Sequence, residues 1–255
     1  ATRSAPGVQG RAAVEFVEEI NAVRIVERMR ALGGRVDALA VVSVDHPRVT
    51  EEVDRLRSAG VPTFALLSDL SAPSRAGYVG LDARKAGRTA AWAITRLSRR
   101  PGKAAIFVGS HRYLDHDLRE ISLKTYLREL APDFTLLEPV IDLEDEAIAY
   151  DAALALLKRH PDLVGIYSTG GGTDGIVPAL RETDRAGGTV FVCNELTPAN
   201  RSGLIDGVID LVISTPVARL AERAVAAMVE AAGGAQPGGA SQLLVPLELF
   251  VAESF

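Results

Sequence analysis

Apolar residues along this chain fall into short runs rich in β-branched side chains, each followed by a longer stretch with apolar positions three or four residues apart. The runs predict strands at Ala12–Glu18, Ala38–Val44, Thr63–Leu67, Gly77–Val79, Lys103–Val108, Thr135–Val140, Leu163–Ser168, Val190–Cys193, Leu211–Ile213 and Leu243–Val251. The stretches predict helices at Val23–Ala31, Val49–Ser58, Ala83–Leu97, Asp117–Leu130, Glu144–Arg159, Thr173–Arg181, Ala199–Asp206 and Pro216–Ala232. Runs such as AVVSV and GIYS are continuous rather than alternating, which suits strands covered on both faces and hence parallel sheets. Strand–helix alternation throughout predicts an α/β, doubly wound fold. Gly33-Gly34, Gly60, Pro101-Gly102 and Gly187-Gly188 punctuate helix-to-strand passages, and Pro237-Gly238-Gly239 reads as an exposed connection.

Length changes this picture from one sheet to two. The chain has 255 residues, long for one core and suited to two lobes. Open α/β sheets bind ligands beyond the carboxyl ends of their strands, and two such sheets facing each other would enclose a cleft. Polar residues that follow strands are therefore the binding candidates: Asp45, His46, Ser68, Asp69, Ser110, His111, Thr169, Gly170, Asn194 and Glu195.

Composition narrows the chemistry. The net charge of -5 argues against a chain that grips nucleic acid through its own basic field. The lone cysteine, Cys193, ends an apolar strand and reads as a small buried hydrophobe, with no partner for an intrachain disulfide. Ala1–Gly10 lacks the apolar region of a secretion signal, and no apolar run approaches a membrane span. The run Gly170–Gly175 spells G-x-G-x-x-G after a strand, with Glu195 further on, but three adjacent glycines meet that pattern cheaply and it sits late in the chain. A tight turn allowing close approach explains it better than a nucleotide cofactor. The His111, Asp115, His116, Asp117 group lacks metal-ligand spacing and opens a helix, where Asp is a cap. Asp142–Glu146 likewise suits a helix start. G-x-S-x-G is absent from the sequence, and the expectation is a binding protein without catalytic, metal or cofactor chemistry.

At Tyr78–Trp92 the chain reads YVGLDARKAGRTAAW, which resembles the strand-to-helix stretch of LacI/GalR transcription regulators. RVDALAVVSVDHP, AGVPTFALLSDL, DLREISLKTYL and VFVCNELTPANRSGLIDGVIDLVIS resemble further segments of that family in the same order. The resemblance implies a two-lobed, periplasmic binding protein-like type I fold, with an amino-terminal lobe at 1–107 plus 215–235 and a carboxy-terminal lobe at 109–212 plus 241–255. It implies a cytoplasmic homodimer that binds operator DNA through a headpiece outside this chain, and a sugar, polyol or sugar acid effector held in the cleft. The family's first strand has no counterpart here. By position Arg119 matches a ligand-clamping arginine, while Ser68, Asp69, Asn194, Asp45 and His46 match or adjoin ligand contacts. Gly171-Gly172 stands where an Asn-Asp pair is common, Ser214 where a Gln is frequent, and Ser122 where a Gly is usual. Tyr113, Tyr167 and Phe107 are the aromatic residues available for stacking on a sugar ring. A periplasmic sugar-binding protein of an ABC transporter is the alternative reading, ahead of a nucleotide-dependent enzyme.

Overall fold

A computed structural model of the chain describes residues 10–17, 21–234 and 241–255. In chain order the elements are α1 (Ala22–Gly33), β1 (Leu39–Val41), α2 (Pro47–Ser58), β2 (Thr63–Leu66), β3 (Gly77–Gly80), α3 (Ala83–Leu97), β4 (Lys103–Val108), α4 (Leu114–Leu130), β5 (Thr135–Leu136) and β6 (Val140–Ile141). Then follow α5 (Glu146–Arg159), β7 (Leu163–Ser168), α6 (Thr173–Glu182), β8 (Val190–Asn194), α7 (Pro198–Ile205), β9 (Leu211–Ser214), α8 (Val217–Ala232), β10 (Ser241–Leu244), β11 (Glu248–Phe250) and a 3-10 turn at Ala252–Ser254. Local chemistry fixes the helix starts. Asp82, Asp145 and Thr197 each accept a backbone N–H in the first turn of α3, α5 and α7, and Pro47 and Pro198 occupy first-turn positions where no N–H is needed.

The chain divides into two units. The first comprises Ala1–Leu81, Arg112–Asp115 and Pro216–Pro246; the second comprises Asp82–His111, His116–Thr215 and Leu247–Phe255. The first unit holds a parallel sheet in the order β1-β2-β3-β10, and the second a sheet in the order β11-β9-β8-β7-β4-β5, with β6 also paired to β4. Among the described residues every pairing is parallel except β11 on β9. In the second unit alternate residues enter two separate cores. Ala105, Phe107, Ile166, Phe191, Cys193 and Val212 face one side. Ala104, Ile106, Val108, Tyr167, Val192 and Ile213 face the other, with the alanine-rich face of α3. Continuous apolar runs are thus covered twice, as parallel sheets require. Burial also pushes the Cys193 thiol well above its usual range, which keeps it an inert hydrophobe.

Several expected elements change. Residues 12–17 of the strand expected at Ala12–Glu18 form no strand, and residue 18 lies outside the described residues. Val14 and Phe16 are 76% and 87% exposed, so the alternation there finds no sheet face to bury it. Leu243–Val251 is two strands: β10 runs parallel to β3 and β11 antiparallel to β9. Pro246 cannot donate to a ladder and separates them; Pro139 likewise separates β5 from β6 within Thr135–Val140. The connection at Pro237-Gly238-Gly239 lies outside the described residues.

The division of the chain also differs from the expected one. Asp82–Phe107 joins the second unit because Ala86, Ala90, Ala93 and Ile94 of α3 pack with Ile106, Tyr167 and Val192. Ser241–Pro246 joins the first unit because β10 pairs with β3. Among the described residues, no helix is long and apolar enough to cross a membrane.

Candidate functional site

Topology singles out one place in the second unit. From β4 the chain goes outward to β5 and β6, then returns to β7 on the other side of β4 and continues to β8 and β9. The loops leaving β4 and β7 therefore diverge, and the carboxyl ends of the strands at such a reversal are the usual ligand position in open α/β sheets. Ser110 follows β4, Asp142 follows β6, Thr169 and Gly170–Gly172 follow β7, and Asn194 ends β8.

These residues converge on the loop 168–172. Arg119, buried on α4, donates from Nη1 to the carbonyl of Thr169. Asn194 donates from Nδ2 to the Tyr167 hydroxyl at 2.9 Å and to the Ser168 carbonyl at 2.8 Å. Both amide donors are committed, so the carboxamide oxygen is the end left to face a ligand. Ser168 donates to the Gly171 carbonyl at 2.9 Å. Gly172 has φ of 76°, and a side chain there would meet Asp142 Oδ2 at 2.5 Å. Asp142 is fully buried, accepts the Glu144 N–H through Oδ1 at 3.0 Å, and has its pKa raised to about 6, chiefly by burial, against the opposing pull of that hydrogen bond. Four buried side-chain atoms around this loop have no hydrogen-bond partner: Arg119 Nε, Asp142 Oδ2, Thr169 Oγ1 and Asn194 Oδ1. Leaving such atoms dry and unpaired costs about 1–3 kcal/mol each, so a ligand that pairs them gains correspondingly.

The loop 143–144 closes over the same glycines. Leu143 and Glu144 both have left-handed backbones, with φ of 54° and 60°, a conformation that costs non-glycine residues energy and gathers at functional sites. A side chain at Gly109 would meet Glu144 Cγ at 2.6 Å, and one at Gly170 would meet Glu144 Oε1 at 2.6 Å. His116, 8% exposed, accepts the Ser110 N–H through Nδ1 at 3.3 Å, so the proton sits on Nε2. Burial first, then the charges of Arg119 and His111, drive its pKa down to about 3. The imidazole is neutral at pH 7, and its 3.8 Å approach to Glu144 Oε1 is not an ion pair.

Other expected contacts have different work. Tyr167 and Phe107 are fully buried in core clusters, so neither ring is a stacking surface; Tyr167 positions Asn194 instead. Glu195, with φ of 64°, accepts from the Thr215 N–H and hydroxyl at 3.0 and 2.7 Å, tying the loop after β8 to the one after β9. Ser214 Oγ accepts the Leu196 N–H at 3.3 Å. Gly171 supplies close approach, with a would-be side chain 2.9 Å from Glu144 Cβ. Gly175 serves packing of α6 on α5, where a side chain would meet the Glu146 carbonyl at 2.1 Å. The G-x-G-x-x-G run is thereby explained by turn geometry and packing. Asp142 is the addition. Asp142 hides in an acidic stretch whose cap is Asp145, and only its burial sets it apart.

The first unit carries its own polar group after β1 and β2. Asp45 accepts from the Ser71 N–H and hydroxyl, both at 2.9 Å. His46 caps α2 through Nδ1. Asp69 pairs with Arg75, whose Nε lies 2.7 Å from Oδ1 off hydrogen-bond alignment and whose Nη2 donates to Oδ2 at 2.9 Å. Ser68 Oγ accepts the Asp115 N–H at 3.4 Å, and Asp115 accepts from the Asp69 N–H and the Tyr78 hydroxyl at 3.1 and 2.8 Å. Tyr113 is half-buried against this unit's apolar core.

A family model described as a periplasmic binding protein domain matches residues 13–236. Among solved structures, GanP, a glucose-galactose binding protein from Geobacillus stearothermophilus, has a TM-score of 0.82 at 19% identity, over 91% of this chain and 81% of that one. An ABC transporter solute binding protein from Burkholderia graminis, in complex with D-arabinose, has 0.84 at 22% identity, over 92% and 82%. Another from Agrobacterium vitis, with bound D-fucose, has 0.83 at 16% identity, over 91% and 81%. These likenesses show the fold. No curated protein sequence matches the chain.

The regulator reading is corrected by these findings. The match is to a periplasmic binding protein domain, and the structures named are sugar- or solute-binding proteins. The cytoplasmic location is corrected on the same ground, and the homodimer and operator DNA, which rested on the regulator reading alone, are withdrawn with it. The misleading segment has a physical explanation. In YVGLDARKAGR, Asp82 caps α3, and Gly87 lets α3 approach α4, where a side chain would meet the Arg119 carbonyl at 2.2 Å. Arg88 lies over the Tyr126 ring. Those residues record how strand, turn and helix pack, and packing is shared by proteins with different partners.

Proposed function

The chain belongs to the family of periplasmic binding protein domains, and from that premise we propose that it is a non-catalytic, extracytoplasmic binding protein for a small polyhydroxylated molecule, of the kind that delivers sugars to an ABC transporter. One observation carries the reading: four buried, unpartnered polar atoms from α4, β8 and the loops after β6 and β7 surround the loop 168–172 at the divergence of β4 and β7. Their chemistry is that of hydroxyl recognition. Asn194 Oδ1 and Asp142 Oδ2 accept, Arg119 Nε donates, and Thr169 Oγ1 does either. Such a set orients a sugar through directed hydrogen bonds, and it contains no nucleophile paired with a base. The solute binding proteins named above hold arabinose and fucose, which agrees with a ligand of this size. Ser110 and Gly171 complete the rim of the same site. Glu195, Ser214 and Tyr167 act as its scaffold within the second unit, while Asp45, His46, Ser68, Asp69 and Tyr113 serve the first unit's own loops and core.

Calorimetric titration of the intact chain with D-glucose, D-galactose, D-arabinose, D-fucose, D-allose and the corresponding polyols tests this. Saturable binding of at least one, with a raised unfolding temperature, is the expected result. Absence of binding to every member of the panel overturns it.

A further inference from the structure

Resting on the sugar-binding reading, we propose that Asp142 contacts the ligand and determines specificity: it accepts a hydrogen bond from a ligand hydroxyl and turns away sugars that carry a carboxylate.

The argument begins with where Asp142 lies. It follows the two-residue β6, and its N–H donates to the Val108 carbonyl at 3.1 Å, which pins it to the end of β4. One carboxylate oxygen, Oδ1, is used within its own turn, holding the Glu144 N–H. The other, Oδ2, is buried and has no partner, and it lies beside Gly172, whose missing side chain makes room for it. A fully buried carboxylate oxygen with no donor is expensive, and it survives where function needs an acceptor.

The balance of charge sets the class of ligand. A sugar acid would need donors and net positive charge from the site. His116 is neutral, and Arg119 has given Nη1 to the Thr169 carbonyl, leaving Nε as its buried donor without a partner. Glu144 stands over Gly109 and Gly170, adding a second carboxylate. Three of the four unpartnered atoms can accept, and one can only donate. Ligand hydroxyls satisfy that set; a ligand carboxylate meets Asp142 and Glu144 as like charge with few free donors.

The test pairs sugars that differ at a single carboxylate: D-galactose with D-galacturonate and D-glucose with D-glucuronate, titrated calorimetrically into the intact wild-type chain and Asp142→Asn at pH 7.5. Asparagine keeps an oxygen for the Glu144 N–H and replaces the unpartnered acceptor by a donor. The wild type is expected to bind the neutral member of a pair at least about tenfold tighter than its acid, and Asp142→Asn to lose about tenfold or more for the neutral sugar while narrowing the gap, since a mispaired buried group costs that much. An acid bound as tightly as its neutral partner by the wild type overturns the inference, as does an Asp142→Asn variant with both affinities unchanged. Should that variant not fold, the wild-type pairs alone decide. Binding of no sugar or acid at all overturns the sugar-binding reading itself, whereas binding of acids only overturns this inference and leaves a sugar-acid protein standing.

Discussion

The two units treat their carboxylates differently. In the first, carboxylates are tied down by the unit's own donors: Asp45 by Ser71, Asp69 by Arg75, Asp115 by Tyr78. In the second, Arg119, Asp142, Thr169 and Asn194 are each held by one set of bonds while another polar atom stays unpaired. Sheet order supplies the reason. The first unit's strands run β1-β2-β3-β10 in chain order, so successive loops leave in the same sense and bond to one another. The second reverses between β4 and β7, and the loops at the reversal part. A group is preorganised for a ligand when part of it is fixed and part is free, and the second unit meets that description.

Ligand affinity is the sharpest way to break this comparison. Arg119→Ala should weaken binding of whichever sugar is found by about 2–4 kcal/mol, because buried ligand acceptors lose a charged partner. Arg75→Ala should instead show its effect mainly in the unfolding temperature. Equal losses of affinity in both variants, measured by calorimetry, would erase the distinction drawn between the units.

Acid stability comes next. The His116 pKa lies near 3 in the fold against 6.5 for the free side chain, so its neutral form contributes stability that is present above pH 6.5 and lost as pH falls toward 3. Between pH 6.5 and 5 the loss is about 2 kcal/mol at about 1.4 kcal/mol per pH unit. Asp142 has the opposite slope, since a carboxyl raised to about 6 contributes stability present below 3.8 and lost as pH rises through 6. Denaturant titrations of His116→Gln should therefore show a smaller loss on acidification than wild type; an unchanged slope would mean that His116 is solvated in the folded chain.

A smaller effect separates pairing from burial in the first unit. Glu52, 1% exposed on α2, is shielded from water, which raises its pKa, yet the hydrogen bonds from Arg55 and then Arg30 hold it below the usual carboxylate range. Glu52→Gln should cost about 1–3 kcal/mol of unfolding free energy, less than a wholly buried pair because both arginines are well exposed. Asp45→Asn should cost least, about 0.5–1 kcal/mol, with affinity unchanged, since one oxygen still accepts from Ser71. A marked loss of sugar affinity in Asp45→Asn would place the first unit's carboxylates among the ligand contacts.

Much of this architecture is written locally. The positions of β2, β4, β7 and β8 follow from continuous β-branched runs, and helix starts follow from caps such as Asp82 and Thr197, because hydrophobic period and capping chemistry act over a few residues. Asn194 was likewise legible as a candidate by its position after a strand, and Arg119 through the family resemblance. Other features depended on distant partners. The split of Leu243–Val251 depends on two separate sheets accepting its halves, and residues 12–17 show alternation without a face to meet. Tyr167 looks like a stacking ring until its burial is seen, and Asp142 looks like a helix-start acid until Gly172 and the end of β4 enclose it. The sequence by itself determined the strand–helix alternation and the double covering of the strands, since these arise from neighbours along the chain. The tertiary structure alone decided which polar atoms remain unpaired, because pairing depends on loops far apart in sequence that meet only where the sheet reverses.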